Sequence, residues 1–325
     1  MNKRKVLGLI AIVSVLFLSI ISGFEPIRAQ VSITGVTLSS EAPVPWQMDY
    51  DGSKYIWYGG TKTYGYLTRV DTTTVLSNPT GAVQWWQVAP AFHPDHPTAA
   101  YAGASVGVAI GAGYIWAGAQ YTGADDQTTE LLCRFDPITT TTTLYVVPVI
   151  GKAIRAIRYD PAGYIWVAVS AVLRFNIASG TWTTCTDRFG AYDLLLDNNN
   201  LWITHSGYGG GIKKMDKTTF VLTSYTASGI PRLLTKDFGS NIWFSMNNRK
   251  IAKLVQGTGA ISEYDIGIPA GYDSPYGVIF DKNGKLWIAG YNYTRYICFD
   301  PSIGTVVQTI STTNQPYYFT KDHLN

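Results

Sequence analysis

Short apolar stretches alternate with polar turns along most of the chain, and one pattern recurs among them. A tryptophan between apolar residues stands in YIWYGG, YIWAGA, YIWVAV, NLWITH, NIWFSM and KLWIAG. These tryptophans are Trp57, Trp116, Trp166, Trp202, Trp243 and Trp287, so successive copies lie 59, 50, 36, 41 and 44 residues apart. A repeat of about 40 residues is typical of architectures that stack one structural unit many times.

Each copy contains more than the tryptophan. An apolar strand that ends in Asp and a turn precedes it, as in IRYDPAG and VIFDKNG, and a strand with a basic residue follows it, as in VLRFN and IKKMD. A Thr/Gly/Ser turn and one more strand complete the unit. Alternating positions separated by Gly, Asn, Asp and Pro predict four antiparallel strands, a to d. Four-stranded units repeated around an axis predict an all-β fold, a β-propeller, with each tryptophan packed between blades.

The number of blades is a separate question. Strand a recurs at seven places, which begin at residues 45, 104, 154, 191, 231, 275 and 316, and the seventh copy is followed by only three residues. The stretch 31–40 has a strand pattern in the position of a strand d. We therefore predict six nearly complete blades and a partial seventh in a seven-bladed ring, with a chain that is truncated or interrupted. A six-bladed ring with a docked tail is the alternative.

The N-terminus predicts export. MNKRK precedes 19 uncharged residues and then EPIRAQ, which is the pattern of a secretory signal peptide. We assign residues 1–29 to this signal and 30–325 to one propeller domain, a monomer that is secreted or held at the cell surface. An uncleaved membrane anchor is the alternative, because the apolar segment is long enough to span a bilayer.

Composition excludes one class of partner and bears on the cysteines. The net charge is +3, and no Lys/Arg cluster occurs beyond the N-terminus, so we expect no nucleic-acid binding. The three cysteines, Cys133, Cys185 and Cys298, have no metal-binding spacing. We expect them to be buried free thiols, and one disulfide with a single free thiol is the alternative.

Three stretches resemble the streptogramin lyase family of β-propellers. They are NIWFSMNNRKIAKL (241–254), NLWITHSGYGGGIKKMD (200–216) and SPYGVIFDKNGKLWIAG (274–290). The resemblance covers roughly residues 40–322 and implies a seven-bladed ring with a ligand site on one face of its channel. It also implies a magnesium-assisted elimination with a histidine as acid/base and carboxylates at the metal.

One repeat position bears directly on that chemistry. The place where the family often carries a glutamate holds Gly60, Ala119, Val169, His205, Met246 and Gly290. None of these is a carboxylate, and a hard cation needs several oxygen ligands. No cofactor is therefore evident, and magnesium is expected only if the protein is a lyase.

The second position of strand a supplies the candidate ligand site. Equivalent positions in a ring lie on a circle, so we expect one channel mouth to be surrounded by Trp46, Ser105, Arg155, Tyr192, Arg232, Tyr276 and Tyr317. Aromatic rings stack on sugars and other planar groups, and arginine presents forked donors to carboxylate, sulfate or phosphate. The alternative is that these side chains only wedge between blades.

His205 is the candidate catalytic residue, at the end of a strand b beside the Gly-rich SGYGGG. It is either a general acid/base or a hydrogen-bonded histidine at a strand end. The stretch AFHPDHPTAA (91–100) is interpreted as a surface turn rather than a metal site.

Together these features predict an exported propeller that binds a glycan, peptide or partner protein at its channel face. The alternative is a lyase-like or lactonase-like enzyme that uses His205.

Overall fold

The computed structural model describes residues 9–13, 33–37, 45–60, 65–122, 128–149, 153–206, 211–272, 275–312, 316 and 318–320. These residues form strands and turns and contain no helix, which confirms the all-β class. It follows that no described helix is available to cross a membrane.

Two strands stand apart from the blades. β1 (Leu9–Val13) and β2 (Ile33–Thr37) pair with each other in an antiparallel sheet of two strands. The stretch 31–40 thus contains the predicted strand, but its partner is the apolar N-terminal segment and not a blade. The physical reason is that Leu9–Val13, with Leu, Ile and Val in four of its five places, is itself a good strand former.

Six sheets form the ring of blades. The strands of blade one are β3 (Pro45–Tyr50), β4 (Tyr55–Gly60), β5 (Tyr66–Asp71) and β6 (Val83–Gln87). Those of blade two are β7 (Phe92–His93), β8 (His96–Gly111), β9 (Tyr114–Thr122), β10 (Thr128–Phe135) and β11 (Thr142–Val146). Those of blade three are β12 (Ala156–Asp160), β13 (Tyr164–Ala168), β14 (Val172–Asn176) and β15 (Thr181–Thr184).

The other three blades repeat the four-stranded order. The strands of blade four are β16 (Ala191–Asp197), β17 (Asn200–His205), β18 (Gly211–Asp216) and β19 (Leu222–Thr226). Those of blade five are β20 (Pro231–Lys236), β21 (Ile242–Met246), β22 (Lys250–Leu254) and β23 (Ile261–Asp265). Those of blade six are β24 (Pro275–Phe280), β25 (Leu286–Gly290), β26 (Arg295–Asp300) and β27 (Thr305–Ser311).

The tryptophans pack between blades, as predicted. Five of them have at most 2% of their surface exposed, and Trp287 is 6% exposed. The ring of Trp116 lies 5.9 Å from that of Phe175 of blade three, and the ring of Trp243 lies 5.7 Å from that of Phe280 of blade six. Burying one such side chain contributes about 2–3 kcal/mol, so the repeated tryptophan is chiefly a device for joining blades.

A β-bulge recurs at the start of strand a. In blades one, four, five and six the register with strand b slips after the first residue, for example between Ala191 and Leu194. A bulge leaves two residues outside the ladder and redirects their side chains. In these four blades the second position of strand a lies in this bulge and holds Trp46, Tyr192, Arg232 and Tyr276, whereas Arg155 directly precedes β12.

The seventh copy of strand a is described at residues 316 and 318–320, and this part forms no strand. Phe319 nevertheless packs on Trp287 and Tyr296 of blade six. The hydroxyl of Tyr318 accepts a hydrogen bond from Gln47 of blade one at 3.2 Å. The segment therefore contacts both the last blade and the first.

Candidate ligand site at the channel mouth

Four of the predicted site residues come together in one arc. The guanidinium of Arg155 lies 5.7 Å from the ring of Tyr192, and that of Arg232 lies 5.7 Å from the same ring. Arg232 also lies 5.5 Å from the ring of Tyr276. Arginine and tyrosine thus alternate across blades three to six, and we name Arg155, Tyr192, Arg232 and Tyr276 the mouth arc.

Two buried hydroxyls hold the backbone of the arc. Thr204 Oγ1 donates to the carbonyl of Arg232 at 2.8 Å and accepts from the N–H of Asp193 at 2.8 Å. Ser245 Oγ donates to the carbonyl of Tyr276 at 2.6 Å. Each hydroxyl belongs to one blade and fixes the bulge of the next. These contacts explain why the second-position side chains are held at defined places on the circle.

The two arginines of the arc carry charge that the described carboxylates do not neutralise. The ion pairs found among the described residues involve Arg158 and five lysines but neither Arg155 nor Arg232. The Nε of Arg232 is buried and has no hydrogen-bond partner. Burial and the neighbouring Tyr192 raise the pKa of Tyr276, against the opposing effect of Arg232, so Tyr276 keeps its proton. The arc is therefore a cationic and aromatic surface.

A buried carboxyl group lies close to Arg155. Glu130 is fully buried, its Oε2 accepts from the N–H of Ile154 at 3.4 Å, and its Oε1 has no hydrogen-bond partner. Burial raises the pKa of Glu130 well above its ordinary value, although the N–H of Ile154 and the charge of Arg155 oppose this. Burial therefore favours the neutral form of Glu130, and no ion pair between Glu130 and Arg155 is found among the described residues.

Deeper in the channel, a polar network joins distant blades. Arg158 Nη2 lies 2.6 Å from Asp193 Oδ1 and donates to the hydroxyl of Tyr318 at 3.2 Å. Burial lowers the pKa of Arg158, but Tyr318, Asp193 and Asp49 outweigh it and keep the guanidinium charged. Arg158 thus forms an ion pair with a carboxyl group of the protein, unlike the arginines of the arc.

The other second-position residues are placed only in part. Trp46 and Ser105 lie on β3 and β8, and nothing is described of their side chains. Tyr317 lies outside the described residues. The structure therefore describes the side chains of the predicted circle from Arg155 to Tyr276.

His205 lies on the same face as the arc, one strand further out. It pairs across the sheet with Ala191, the residue before Tyr192, and its ring meets that of Phe189 edge-on at 5.4 Å. Burial and the charge of Lys213 lower the pKa of His205, while a hydrogen bond to the backbone of Phe189 opposes them. The imidazole is therefore neutral near pH 7. The described residues place no carboxylate in a hydrogen bond with it.

The described residues do not fit a magnesium ion. No group of three or more His, Cys, Asp or Glu side chains among them converges in a way that could hold a metal. In the stretch 91–100, His93 is buried: its Nδ1 accepts from the N–H of Asp95 at 3.1 Å and its Nε2 meets Thr129 Oγ1 at 3.3 Å. Both ring nitrogens have partners, so His93 is structural. The stretch is a hairpin of β7 and the start of β8 with His93 buried in it, so the prediction of a surface turn was wrong for His93.

Several polar groups near the channel were not predicted from the sequence. Asp193 and Tyr318 occupy the third position of strand a, where Asp193 is the one charged residue among the seven copies, and this charge was the available signal. Arg158 occupies the fifth position, where other copies also carry polar residues such as Asp49 and Thr235. Glu130 had no such signal, because its burial follows from the packing of β10 against the start of blade three. The tyrosines of the turn after β25 were also missed, since that turn follows no repeat.

Comparisons with known proteins support the fold. No family model matches the sequence, and no curated protein matches it either. A streptogramin B lyase structure aligns with a TM-score of 0.66 and 19% identity over 85% of this chain and 86% of that one. This chain shares the streptogramin B lyase fold.

Two further structures show how wide the likeness is. A catalytically inactive virginiamycin B lyase from Staphylococcus aureus with quinupristin gives a TM-score of 0.64 and 14% identity, over 88% of this chain and 91% of that one. The nidogen/laminin complex gives a TM-score of 0.55 and 14% identity, over 82% of this chain and 98% of that one. The resemblance seen in the sequence is thus confirmed at the level of the fold.

Proposed function

We propose that the protein binds an anionic ligand at the channel mouth and that the mouth arc is its binding site. The observation that carries the proposal is the pair of guanidiniums, Arg155 and Arg232, on either side of Tyr192 without a described carboxylate partner. Two cations beside one ring repel each other, and an anion bound between them relieves that repulsion. Arginine also offers the forked donors that carboxylate, sulfate and phosphate groups accept.

The neighbouring aromatics favour a ligand with a planar or ring-shaped body. Tyr192 and Tyr276 flank Arg232 and are half-buried, so each can present part of a ring to a ligand. The streptogramin B lyase and nidogen propellers have the same fold, which is compatible with many activities. The proposal therefore depends on the residues of the arc and not on the fold.

The test is calorimetric titration of the protein with galacturonate, with galactose as the neutral analogue. We expect galacturonate to bind, galactose not to bind, and the affinity to fall as salt is added. The Arg155→Gln/Arg232→Gln double variant should lose binding. The matched control is Arg69→Gln/Arg134→Gln, two arginines that also lie over tyrosine rings but on strand c of blades one and two. Equal binding by both double variants refutes the site.

The alternative is a lyase-like or lactonase-like enzyme in which His205 is the acid/base. Its supporting observation is the lowered pKa of His205, which suits a general base near pH 7. Magnesium belongs to this alternative alone. The enzyme alternative predicts turnover of a streptogramin B or of a lactone. This turnover should be lost in His205→Ala, while galacturonate binding persists.

We further propose that the propeller is exported, with residues 1–29 as its signal peptide and an uncleaved anchor as the alternative. The basic start and the apolar segment support this assignment. N-terminal sequencing of the mature protein distinguishes the two, because cleavage removes the apolar segment.

A seventh blade position is also part of the proposal. Residues 318–320 lie between blade six, through Phe319 and Trp287, and blade one, through Tyr318 and Gln47. These contacts are the ones expected of a seventh inner strand. The alternative is a six-bladed ring with a docked tail. Deletion of residues 316–325 should unfold a ring in which this segment occupies a seventh position, but should leave a six-bladed ring folded.

A further inference from the structure

We infer that the ligand is an extended acidic glycan that runs from the mouth arc outward over blade six. This inference rests on the proposed function, since it assigns one end of the ligand to Arg155 and Arg232. It adds a second surface, four tyrosines that we name the tyrosine platform: Tyr272, Tyr276, Tyr291 and Tyr293.

The platform begins at Tyr276, the last residue of the arc, and consists of two tyrosine pairs. Tyr276 meets Tyr291 edge-on with ring centroids 5.2 Å apart. Tyr272 meets Tyr293 in the same way at 5.0 Å. The two pairs are joined by one turn, since Tyr291 and Tyr293 both belong to the connection from β25 to β26 and the carbonyl of Tyr291 accepts from the N–H of Thr294 at 3.2 Å.

All four tyrosines lie on the face of the mouth. Strand direction alternates within a blade, so the connections from strand b to strand c and those from strand d to the next strand a emerge on one face. Tyr291 and Tyr293 belong to the first kind and Tyr272 to the second. Tyr272 is 44% exposed and the other three are half-buried. A ligand at Arg232 can therefore extend across them without entering the channel.

A third arginine, Arg295, lies at the far end of the platform. The guanidinium of Arg295 lies 5.1 Å from the ring of Tyr293, and its Nη1 donates to Ser311 Oγ at 2.8 Å. No carboxylate among the described residues forms an ion pair with it. Cationic groups thus stand at both ends of an aromatic surface, which complements a chain that carries acid groups on more than one unit.

The chemistry favours a glycan over a peptide or a nucleic acid. A peptide bound by strand addition takes up an unpaired strand edge, whereas the backbone beside the platform is already paired, as in Pro275 with Gly290 and Gly290 with Arg295. Edge-to-face tyrosines instead offer ring surfaces together with hydroxyls, which suit sugar rings. The small net charge, +3, is not that of a nucleic-acid binder.

The test compares ligand lengths by calorimetry, with galacturonic acid and its linear hexamer as probes. In the wild type we expect the hexamer to bind more than about tenfold tighter than the monomer, or about 1.4 kcal/mol, which exceeds the sixfold statistical advantage of six acid groups. In Tyr272→Ala/Tyr293→Ala the hexamer should lose that advantage while the monomer binds as before. Phe238→Ala, an exposed aromatic on the opposite face, is the control and should change neither affinity.

Other outcomes separate the two proposals. Monomer binding without any gain from length overturns the glycan inference and leaves the proposed function standing. Absence of binding by monomer and hexamer alike overturns both. Equal binding of neutral cellohexaose overturns the acidic character, and equal, tyrosine-dependent binding of poly-glutamate shows that the ligand is a peptide. Circular dichroism shows whether the double variant is folded. If it is not, the single variants Tyr272→Ser and Arg295→Gln replace it, because Tyr272 is exposed and Arg295 is half-buried. Each should reduce the advantage of the hexamer over the monomer.

Discussion

The hydroxyl of Thr204 donates a hydrogen bond of 2.8 Å to the backbone carbonyl of Arg232, in the neighbouring blade. The same oxygen accepts from the N–H of Asp193. One buried side chain therefore ties the bulge of blade four to that of blade five and fixes the backbone from which Arg232 projects. This contact therefore supports both the mouth arc and the packing between the two blades.

Replacing Thr204 by valine tests that connection. Thr204→Val keeps the volume but leaves a buried carbonyl and a buried N–H without a partner, which costs about 1–3 kcal/mol. We expect a lower free energy of unfolding in urea and a several-fold weaker affinity for galacturonate, because the backbone of Arg232 is released. Thr223→Val, at an exposed position of the same blade, should change neither quantity. A Thr204→Val variant as stable as the wild type would show that the contact does not stabilise the ring.

Tyr318→Phe tests whether the last described segment is part of the ring. The hydroxyl accepts from Gln47 and from the charged Arg158, and hydrogen bonds to charged groups contribute about 1.5–3 kcal/mol. We expect the unfolding midpoint in urea to fall accordingly. The control is Tyr225→Phe, a half-buried tyrosine packed on Trp202, where a change within about 0.5 kcal/mol is expected. Equal midpoints for the two variants would mean that the segment is not integrated.

Glu130 predicts an unusual dependence of stability on pH. Its pKa in the folded state is raised by burial, so the folded protein holds a proton that the unfolded chain releases near the ordinary glutamate pKa of about 4.3. The stability associated with this group is complete below that pH and is lost as pH rises towards the folded pKa. Glu130→Gln removes this loss of stability at high pH. The variant should therefore melt at a higher temperature than the wild type at pH 8, and the difference in melting temperature should shrink towards pH 4.

Glu263 is the matched control, because its shift has the opposite sign. Burial opposes its ionisation, but hydrogen bonds from Ser228 and the charge of Lys250 outweigh burial and lower the pKa of Glu263. Its stabilisation is present above the unfolded pKa and is lost as pH falls through the folded pKa. Glu263→Gln should therefore melt below the wild type at pH 8 and approach it in acid. The same direction for both variants would contradict the assignment of Glu130.

The cysteines should be inert in the folded protein. All three are free and buried, and burial raises the pKa of Cys133 to about 12, of Cys185 to about 11 and of Cys298 to about 12. Thiolate is the reactive form, so a disulfide reagent such as dithionitrobenzoate should label none of them in the native state. Denaturation should release three reactive thiols. Rapid labelling before unfolding, or fewer than three thiols after it, would be the contrary result.

Much of the fold followed from the repeat. The tryptophan, the turn residues and the period-two strands recur together, so blade boundaries were predictable and the packing of Trp116 and Trp243 between blades was as expected. The seventh copy of strand a is less regular. Its residues carry the pattern of an inner strand, but Tyr318 and Phe319 are held by side-chain contacts rather than by a ladder.

The candidate site was predictable only where it obeys the repeat. The spacing of the second position of strand a is enough to place Arg155, Tyr192, Arg232 and Tyr276 on one circle, and they are in contact there. Tyr192, Arg232 and Tyr276 lie in bulges that the repeat does not reveal, and the Thr204 hydroxyl that fixes the backbone of Arg232 depends on how two blades meet. The remaining tyrosines of the platform lie in connections that vary from copy to copy, so no period pointed to them.

The sequence by itself determined the all-β repeat, the tryptophans that join the blades and the circle of second positions, because each depends on local spacing that recurs every blade. The tertiary structure decided which charges stand uncompensated. Arg158 and Arg155 are three residues apart on the same blade, yet Arg158 meets Asp193 of the next blade and Arg155 meets the ring of Tyr192. That difference arises from contacts between blades, and local sequence does not encode the distance between side chains that only the packing of neighbouring blades brings together.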